Sequence, residues 1–159
     1  MQLEYTYTDT PVGTLLLAGR GEVLHYLSFP TGKRAIQPAP DWNFYKRVFQ
    51  PVREQIAAYF GGELSQFDLA IAPSGTEFQM QVLAALQKIP FGQVRSYKDL
   101  AQAIGRPQAM RAVGAANGRN PIPLIIPCHR VLGANGSLTG FGGGLDTKAF
   151  LLRLEGAII

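Results

Sequence analysis

The chain has few of the residues that form cross-links, metal centres or membrane spans. Its 159 residues include one cysteine and two histidines, and 16% of them are charged. One cysteine excludes an intramolecular disulfide, and one thiolate with two imidazoles leaves too few ligands for a structural zinc site. Wholly apolar runs stay far below the roughly 18 residues that a membrane-spanning helix requires.

The composition predicts a soluble globular protein. Hydrophobic residues make up 47% of the chain, which excludes intrinsic disorder, and a chain of this mass buries about 69% of its unfolded surface. The length suits one domain or two small, closely packed ones. The N-terminal residues are polar and alternating, unlike a secretory signal, so we expect an intracellular protein.

Charge is distributed unevenly along the chain. The formal net charge is +4, but residues 1–75 carry six basic and seven acidic residues, whereas residues 76–159 carry nine basic and four acidic ones. This asymmetry indicates a polyanionic partner, such as nucleic acid, for the second half. A solvated basic face with no ligand also explains the charge, and both interpretations stay open at this point.

Local patterns predict two lobes, residues 1–72 and 73–159, joined by a linker at 72–75. Alternation predicts strands, and apolar residues at helical spacing predict helices. The elements expected, in order, are strands within 1–30, a loop over 31–43, a helix from Pro51 to Gly61, a strand over 67–71, helices in the second half and a last helix over 147–155.

The second half carries the pattern of a helix-turn-helix. Thr76 with Gln79, and Ser96 with Asp99, form capping boxes that predict two helix starts. A further helix over 108–117 follows the second start after a glycine-containing turn, which is the helix-turn-helix arrangement. Small side chains on this further helix permit close approach either to another helix or to a DNA groove. The pattern alone does not establish DNA binding, because many helical hairpins bind nothing.

Cys128 is the strongest candidate for chemistry. A lone cysteine is most often an inert, buried hydrophobe. Cys128, however, follows the apolar stretch 122–126, predicted as a short buried strand or a turn into the core, and the adjoining His129 and Arg130 predict a favoured thiolate. Neighbours on an extended chain point in opposite directions, so His129 needs a turn or a bridging water to act as the base. Glu155 is a candidate for orienting the imidazole.

Five sequence blocks, in order and spacing over about residues 73–156, are similar to one family. They are residues 91–97, 111–114, 120–123, 127–131 and 151–156. The block Pro-Cys-His-Arg-Val at 127–131 resembles the signature of the O6-alkylguanine-DNA alkyltransferases, and residues 10–17 more weakly resemble the family's N-terminal strands. The resemblance implies an α+β fold, in which an N-terminal lobe with a small antiparallel, ribonuclease-H-like sheet packs on a helical C-terminal lobe that contains the helix-turn-helix and the active-site cysteine.

The resemblance also implies an activity and its partners. The activity is direct-reversal DNA repair, the stoichiometric and irreversible transfer of an alkyl group to Cys128 from O6-alkylguanine, with O4-alkylthymine as a further substrate. The damaged nucleotide is flipped out of double-stranded DNA. No cofactor, metal or membrane is implied. We expect a cytoplasmic monomer, nucleoid-associated if bacterial, that can assemble cooperatively on DNA.

The family's functional residues carry over to matching positions. Cys128 accepts the alkyl group, His129 takes the thiol proton through a water, and Glu155 orients His129. Tyr97 helps to turn the nucleotide out and donates to guanine N3, and Asn120 braces the active-site turn. Contacts with DNA are expected from Ser96, Tyr97, Arg111, Ala112, Gly114 and Arg119.

The resemblance further implies how the base is held. Arg111 takes the place of the extruded nucleotide in the base stack. The backbone carbonyls of the cysteine and Val131 accept the exocyclic amine of guanine, and Phe141, Gly142 and Gly143 line the pocket. Two positions depart from the family pattern, because many relatives have tyrosine at 141 and some have serine at 142. These departures put the rate and the range of larger adducts in question.

Two other interpretations compete with alkyl transfer. A non-catalytic relative that binds damaged DNA and recruits other factors lacks the acceptor cysteine, which is present here as Cys128. A helix-turn-helix regulator with an inert cysteine accounts equally well for the apolar run into Cys128, but it does not account for the glycine-rich residues 141–144. Labelling of the cysteine by an O6-alkylguanine distinguishes alkyl transfer from both alternatives.

Overall fold

The structure, a computed structural model, describes residues 2–133 and 135–158. The first half forms a four-stranded sheet in the order β3-β2-β1-β4, made of β1 (Glu4–Thr10), β2 (Gly13–Arg20), β3 (Val23–Ser28) and β4 (Asn43–Phe44). Strands β1 to β3 form an antiparallel meander, as the alternation and the glycine turns predict.

Strand β4 makes the sheet mixed rather than purely antiparallel. It pairs in parallel with β1 and lies at the end of the segment 31–43 and just beyond it, where a loop was predicted. The Asn43 N–H donates to the Leu3 carbonyl at 2.9 Å, and the Phe44 ring lies 5.6 Å from the Tyr5 ring. A two-residue strand leaves no alternation to detect, so tertiary contacts rather than local propensity define this edge.

Five α-helices lie within the described residues, and none of them is long and apolar enough to cross a membrane. They are α1 (Gln50–Phe60), α2 (Glu77–Leu86), α3 (Tyr97–Ala103), α4 (Met110–Gly118) and α5 (Leu145–Leu154). Both predicted capping boxes are present, at the starts of α2 and α3. Helix α4 begins later than predicted because a separate turn precedes it, closed by a 2.9 Å hydrogen bond from the Ala109 N–H to the Arg106 carbonyl.

The prediction of a strand over 67–71 is wrong. Its backbone pairs only at Ile71, through one isolated bridge to Leu24, while its apolar side chains pack against the core. Alternation of apolar and polar residues indicates an extended segment with one face buried. A loop that crosses the core has such a face without the hydrogen bonds of a sheet. The stretch 122–126 takes the second of its two predicted forms, a turn into the core, with Leu124 at φ 77°.

One hydrophobic core joins the two halves of the chain. Its buried members include Leu15, Leu17, Phe49 and Ile56 from the first half and Val82, Leu86, Ile122, Ile126 and Leu151 from the second. Burial of each side chain of this size contributes roughly 1.5–3 kcal/mol. The shared core therefore fixes the helices of the second half against the sheet and α1.

A single 3₁₀ turn, called the cysteine turn below, spans Cys128–Arg130. It lies between the helix-turn-helix and the last helix. The strand that follows it, β6 (Val131–Leu132), pairs in parallel with β5 (Arg95–Ser96), the residues that lead into α3. Helix α4 packs on α2 and α3, and α5 contacts the 3₁₀ turn. The cysteine turn is thus fixed from both sides.

The loop after β3 closes against the glycine-rich segment 140–144. The Phe29 and Phe141 rings meet edge to face at 5.6 Å, and the Arg34 N–H donates to the Gly142 carbonyl at 3.2 Å. Gly32 has a φ of +99°, and a Cβ added there would lie 2.0 Å from the Gly142 carbonyl oxygen. This contact requires glycine on both conformational and steric grounds.

We expect Gly32→Ala to destabilise the protein more than Gly62→Ala. Gly62 also has a positive φ, +77°, but a Cβ there meets no atom within 4 Å. Gly62→Ala should therefore lower the free energy of unfolding only by the left-handed backbone strain, about 1–2 kcal/mol. Gly32→Ala should lower it by at least about 1 kcal/mol more, because the added methyl group overlaps the Gly142 carbonyl. Urea denaturation measures both, and equal losses would show that the loop does not close on Gly142.

Candidate active site

Cys128 lies on a buried turn that borders a cavity. Pro127 precedes the turn and accepts a 3.1 Å hydrogen bond from the Arg130 N–H. Cys128 is 4% exposed and lines a cavity of about 220 Å³, called the cysteine cavity below. The other walls are residues 26–29, 34–36, 117–121, Pro123 and 141–143. The thiol is nearly buried and yet has space beside it for a small group.

Burial dominates the chemistry of the thiol. It raises the pKa of Cys128 to about 11, although a hydrogen bond with Asn120 and the charge of Lys148 act to lower it. The prediction that His129 and Arg130 favour the thiolate is therefore wrong, because the loss of water outweighs nearby cations and the cation acting on the sulfur is Lys148. The resting group is a neutral thiol, and a base must take its proton when it reacts.

His129 offers one free ring nitrogen. The residue is fully buried, its Nε2 lies 2.7 Å from Oε2 of Glu155, and its Nδ1 has no hydrogen-bond partner among the described residues. Burial lowers the pKa of His129, and Glu155 only partly opposes that shift, so the imidazole is neutral at pH 7. Because a carboxylate only accepts, Nε2 carries the proton and the lone pair lies on Nδ1.

Glu155 directly follows α5 and collects donors from several elements. Arg130 donates from Nε to Oε1 at 2.7 Å and from Nη2 to Oε2 at 3.0 Å. The Tyr59 hydroxyl donates to Oε2 at 2.6 Å, and the Gly92 N–H to Oε1 at 3.5 Å. Burial alone would raise the pKa of Glu155, but the bonds from His129 and Arg130 lower it to about 2, so it stays ionised.

Asn120 fastens the segment that leads to the cysteine. Its Nδ2 donates to the Ile126 carbonyl at 2.8 Å, and its Oδ1 accepts from the Ile122 N–H at 3.0 Å. The side chain therefore bonds both ends of the turn that contains Leu124 in its left-handed conformation. It can hold that turn and, through it, the position of Cys128.

Sequence reasoning missed Lys148. This fully buried lysine donates from Nζ to the carbonyls of Val131 at 2.5 Å and Thr139 at 2.7 Å. Burial lowers its pKa to about 8. A signal was available, since Lys148 falls on the same face of the last helix as Leu151 and Glu155, and a charge on an apolar face is unusual.

Sequence reasoning also missed the polar role of Tyr59. Helical periodicity identifies it only as an apolar position of α1, together with Val52 and Ile56, and the structure does bury all three. The hydrogen bond to Glu155 joins residues 96 positions apart. No local pattern in the sequence reports a contact over that separation.

Tyr97, the first residue of α3, lines a neighbouring cavity of about 400 Å³. Its hydroxyl donates to the Thr139 carbonyl at 3.4 Å, and a Cβ at Gly114 would lie 3.8 Å from its ring. Both cavities are lined by Arg34, Gly118, Phe141 and Gly142. The space beside the helix-turn-helix and the space beside the thiol therefore share a wall.

The remaining predicted site residues lie around these cavities. Arg111 and Ala112 are exposed on α4, and Arg119 is exposed just after it and borders the cysteine cavity. The Ser96 hydroxyl accepts the Asp99 N–H at 3.0 Å and so caps α3. These positions put basic and small side chains on the outer side of the helix-turn-helix.

Comparisons with known proteins agree along the chain. The ribonuclease-like domain of 6-O-methylguanine DNA methyltransferase matches residues 3–73, and the DNA binding domain of the same family matches residues 77–157. The methylated-DNA–protein-cysteine methyltransferase of Methanosarcina acetivorans is 51% identical over 153 residues, which are 96% of this chain and 98% of that protein. The protein of the same name from Mycobacterium tuberculosis is 47% identical over 154 residues, 96% of this chain and 92% of that protein.

Solved structures give the same result. The crystal structure of Mycobacterium tuberculosis O6-methylguanine methyltransferase has a TM-score of 0.91 at 46% identity and covers 98% of this chain and 94% of that one. The structure of Mycobacterium tuberculosis OGT in complex with DNA matches with the same TM-score and identity, over 97% and 93% of the two chains. The α+β fold with its ribonuclease-like first half is thus confirmed, and the chain belongs to the 6-O-methylguanine DNA methyltransferase family.

Proposed function

We propose that the chain repairs DNA by moving an alkyl group from O6 of guanine to the sulfur of Cys128, once per molecule. The observation that carries the proposal is the setting of this thiol, which borders a cavity while the next residue, His129, is paired with buried Glu155. Methyltransferase relatives named for acting on methylated DNA support the same reaction.

The transfer is a direct displacement at the alkyl carbon. The sulfur of Cys128 forms a bond to that carbon, the bond from carbon to O6 breaks, and its electron pair stays on guanine. The thiol proton passes through a water to Nδ1 of His129, the ring nitrogen that has no partner among the described residues. Tyr97 donates to N3 and stabilises the developing guanine anion. The thioether is not reversed, so each chain acts once.

The lesion reaches the thiol by leaving the base stack. The partner is double-stranded DNA that carries O6-alkylguanine, bound by a monomer through α4 and its flanks, including Ala112, Gly114 and Arg119. Extrusion costs a few kcal/mol, and the weakened pairing of an alkylated guanine lowers this cost. Arg111, exposed on α4, fills the vacated place in the stack. The cavity beside Tyr97 then receives the nucleotide.

Guanine is selected by two backbone carbonyls and an aromatic ring. The carbonyls of Cys128 and Val131 accept the exocyclic amine, while Phe141 stacks on the base. The Val131 carbonyl already accepts Lys148, and its second lone pair serves the base. Asn120 braces this turn. Because O4-alkylthymine lacks this amine, we expect it to be the poorer substrate.

The first half of the chain limits the size of the alkyl group. Tyr26, Phe29 and Ile36 line the cysteine cavity opposite the second-half residues. Gly142 stands where some relatives have serine, and a Cβ at this position would lie 2.6 Å from Cγ and 2.7 Å from Cβ of Arg34. Arg34 therefore occupies the space that a side chain at 142 needs.

Incubation with O6-methylguanine DNA is expected to add one methyl mass to Cys128, and free O6-benzylguanine one benzyl mass. Intact-protein and peptide mass spectrometry locate the label, with Cys128→Ala as the unlabelled control. The reaction should stop at one equivalent, because the thioether is not turned over. Absence of labelling, or labelling at another residue, would remove the basis of the proposal.

Arg111→Ala is expected to slow repair of duplex DNA by roughly tenfold, which corresponds to about 1.4 kcal/mol of lost extrusion energy. Reaction with free O6-benzylguanine should keep its rate, because a free base needs no flipping. Lys98→Ala removes the same charge from an exposed position of α3 and serves as the matched control. Equal losses with both substrates would contradict the extrusion role.

Gly142→Ser is expected to slow methyl transfer several-fold, because a side chain at 142 overlaps Arg34 and displaces it within the wall of the cavity beside Cys128. Adding Arg34→Ala to the same chain should restore most of the rate, since the overlapping atoms belong to that side chain. Single-turnover rates of the two single variants and the double variant test the coupling. Additive losses in the double variant would show that Arg34 does not govern position 142.

A further inference from the structure

Tyr59 connects the first half of the chain to the centre of the site. It lies in α1, is 1% exposed, and donates its hydroxyl to Oε2 of Glu155 at 2.6 Å. The same oxygen accepts the Nε2–H of His129 at 2.7 Å. One carboxylate oxygen thus faces both the ribonuclease-like half and the imidazole beside the reactive cysteine.

We propose that Tyr59 is a positioning residue for alkyl transfer, and that its hydroxyl sets the orientation of Glu155 and, through Glu155, the basicity of His129. The inference rests on the proposed function, in which His129 takes the proton of Cys128. It assigns part of the reaction machinery to the half of the chain outside the DNA-binding domain match.

The hydroxyl is a permanent donor. Burial and the adjacent charge of Glu155 raise the pKa of Tyr59 far above its ordinary value, so the phenol keeps its proton at any working pH. An ionised carboxylate can only accept, so the direction of the bond is fixed. Tyr59 therefore always withdraws electron density from the oxygen that His129 uses.

The position of the hydroxyl is set by aromatic packing. The Tyr59 ring meets Phe60 edge to face at 5.1 Å and Phe91 edge to face at 6.2 Å, and it lies tilted against Phe67 at 5.4 Å. Arg130 in turn stacks over Phe91 at 5.9 Å. These ring contacts persist without the hydroxyl, so Tyr59→Phe removes the hydrogen bond and keeps the packing.

The direction of the effect follows from the groups around the imidazole. Four groups act on His129 or on its carboxylate partner: Tyr59 from α1, Arg130 from the cysteine turn, and Lys148 and Glu155 from α5 and its end. Arg130 and Lys148 disfavour the imidazolium, and Glu155 favours it. Removing one donor from Oε2 strengthens the pull of Glu155 on His129, so the pKa of His129 should rise.

The test compares pH profiles of single-turnover transfer from O6-methylguanine duplex DNA and from O6-benzylguanine. Tyr59→Phe should move the acid limb to higher pH by about 0.5–1 unit and lower the plateau rate by roughly threefold, because the imidazole is held less firmly. Ile56→Val, a buried change in the same helix that leaves Glu155 untouched, is the matched control and should leave the limb in place.

A second readout does not depend on activity. The chain has two histidines, so assigning the His25 signals with His25→Gln leaves His129 as the other imidazole in an NMR titration. Tyr59→Phe should raise the pKa of His129. A chain with 3-fluorotyrosine at position 59 keeps the ring and is a stronger donor, so it should shift the limb and the His129 signal to lower pH.

The outcomes separate the two claims. If the wild-type chain transfers alkyl groups and neither variant at position 59 moves the limb or the His129 signal, the inference about Tyr59 is wrong and the proposed function stands. The inference also fails if Ile56→Val moves the limb as far as Tyr59→Phe does. Failure of the wild-type chain to alkylate Cys128 would instead refute the proposed function.

Discussion

The buried charge of Glu155 is the interaction on which the rest of the site depends. A carboxylate placed in the core is stable only when its oxygens are fully bonded, and removing one partner of a buried ion pair typically costs about 3–5 kcal/mol. Here the donors come from α1, from the loop after α2 and from the cysteine turn, through Tyr59, Gly92, His129 and Arg130. The charge therefore ties together elements that are far apart in the chain, and their joint position fixes the tautomer of the imidazole.

That arrangement explains how a buried thiol can be both protected and reactive. With the pKa of Cys128 raised to about 11, almost none of it is thiolate at neutral pH, and a neutral thiol is a poor nucleophile and resists oxidation. A protein that acts once cannot lose its cysteine to stray electrophiles. In the proposed transfer, the thiol is activated only when the substrate is bound, as its proton moves to His129 while negative charge develops on guanine.

Local signals in the sequence predicted local structure. The capping boxes at Thr76 and Ser96 fixed the starts of α2 and α3 because a helix start is decided within four residues. Strand β4, the single pairing of Ile71 and the contact of Tyr59 with Glu155 are decided by residues distant in sequence, and no periodicity encodes them. The pKa of Cys128 could not be predicted from its neighbours in the sequence either. The adjoining His129 and Arg130 indicate a favoured thiolate, whereas burial in the folded chain raises the pKa of the thiol. The resemblance of residues 127–131 and the other blocks to a family supplied the chemistry that residue patterns alone left open.

The contact between the two halves also determines what the site can hold. Gly32 and Gly142 let two backbones meet where any side chain would overlap, and Phe29 closes on Phe141 beside them. The cysteine cavity is therefore walled by the first half on one side and by the helical half on the other. In the proposed function, helix α4 binds the DNA, whereas the volume open to the alkyl group depends on how closely the first half packs against residues 140–144. Changes that leave the DNA-binding surface intact can then alter the range of adducts, because recognition of the duplex and accommodation of the alkyl group depend on different contacts.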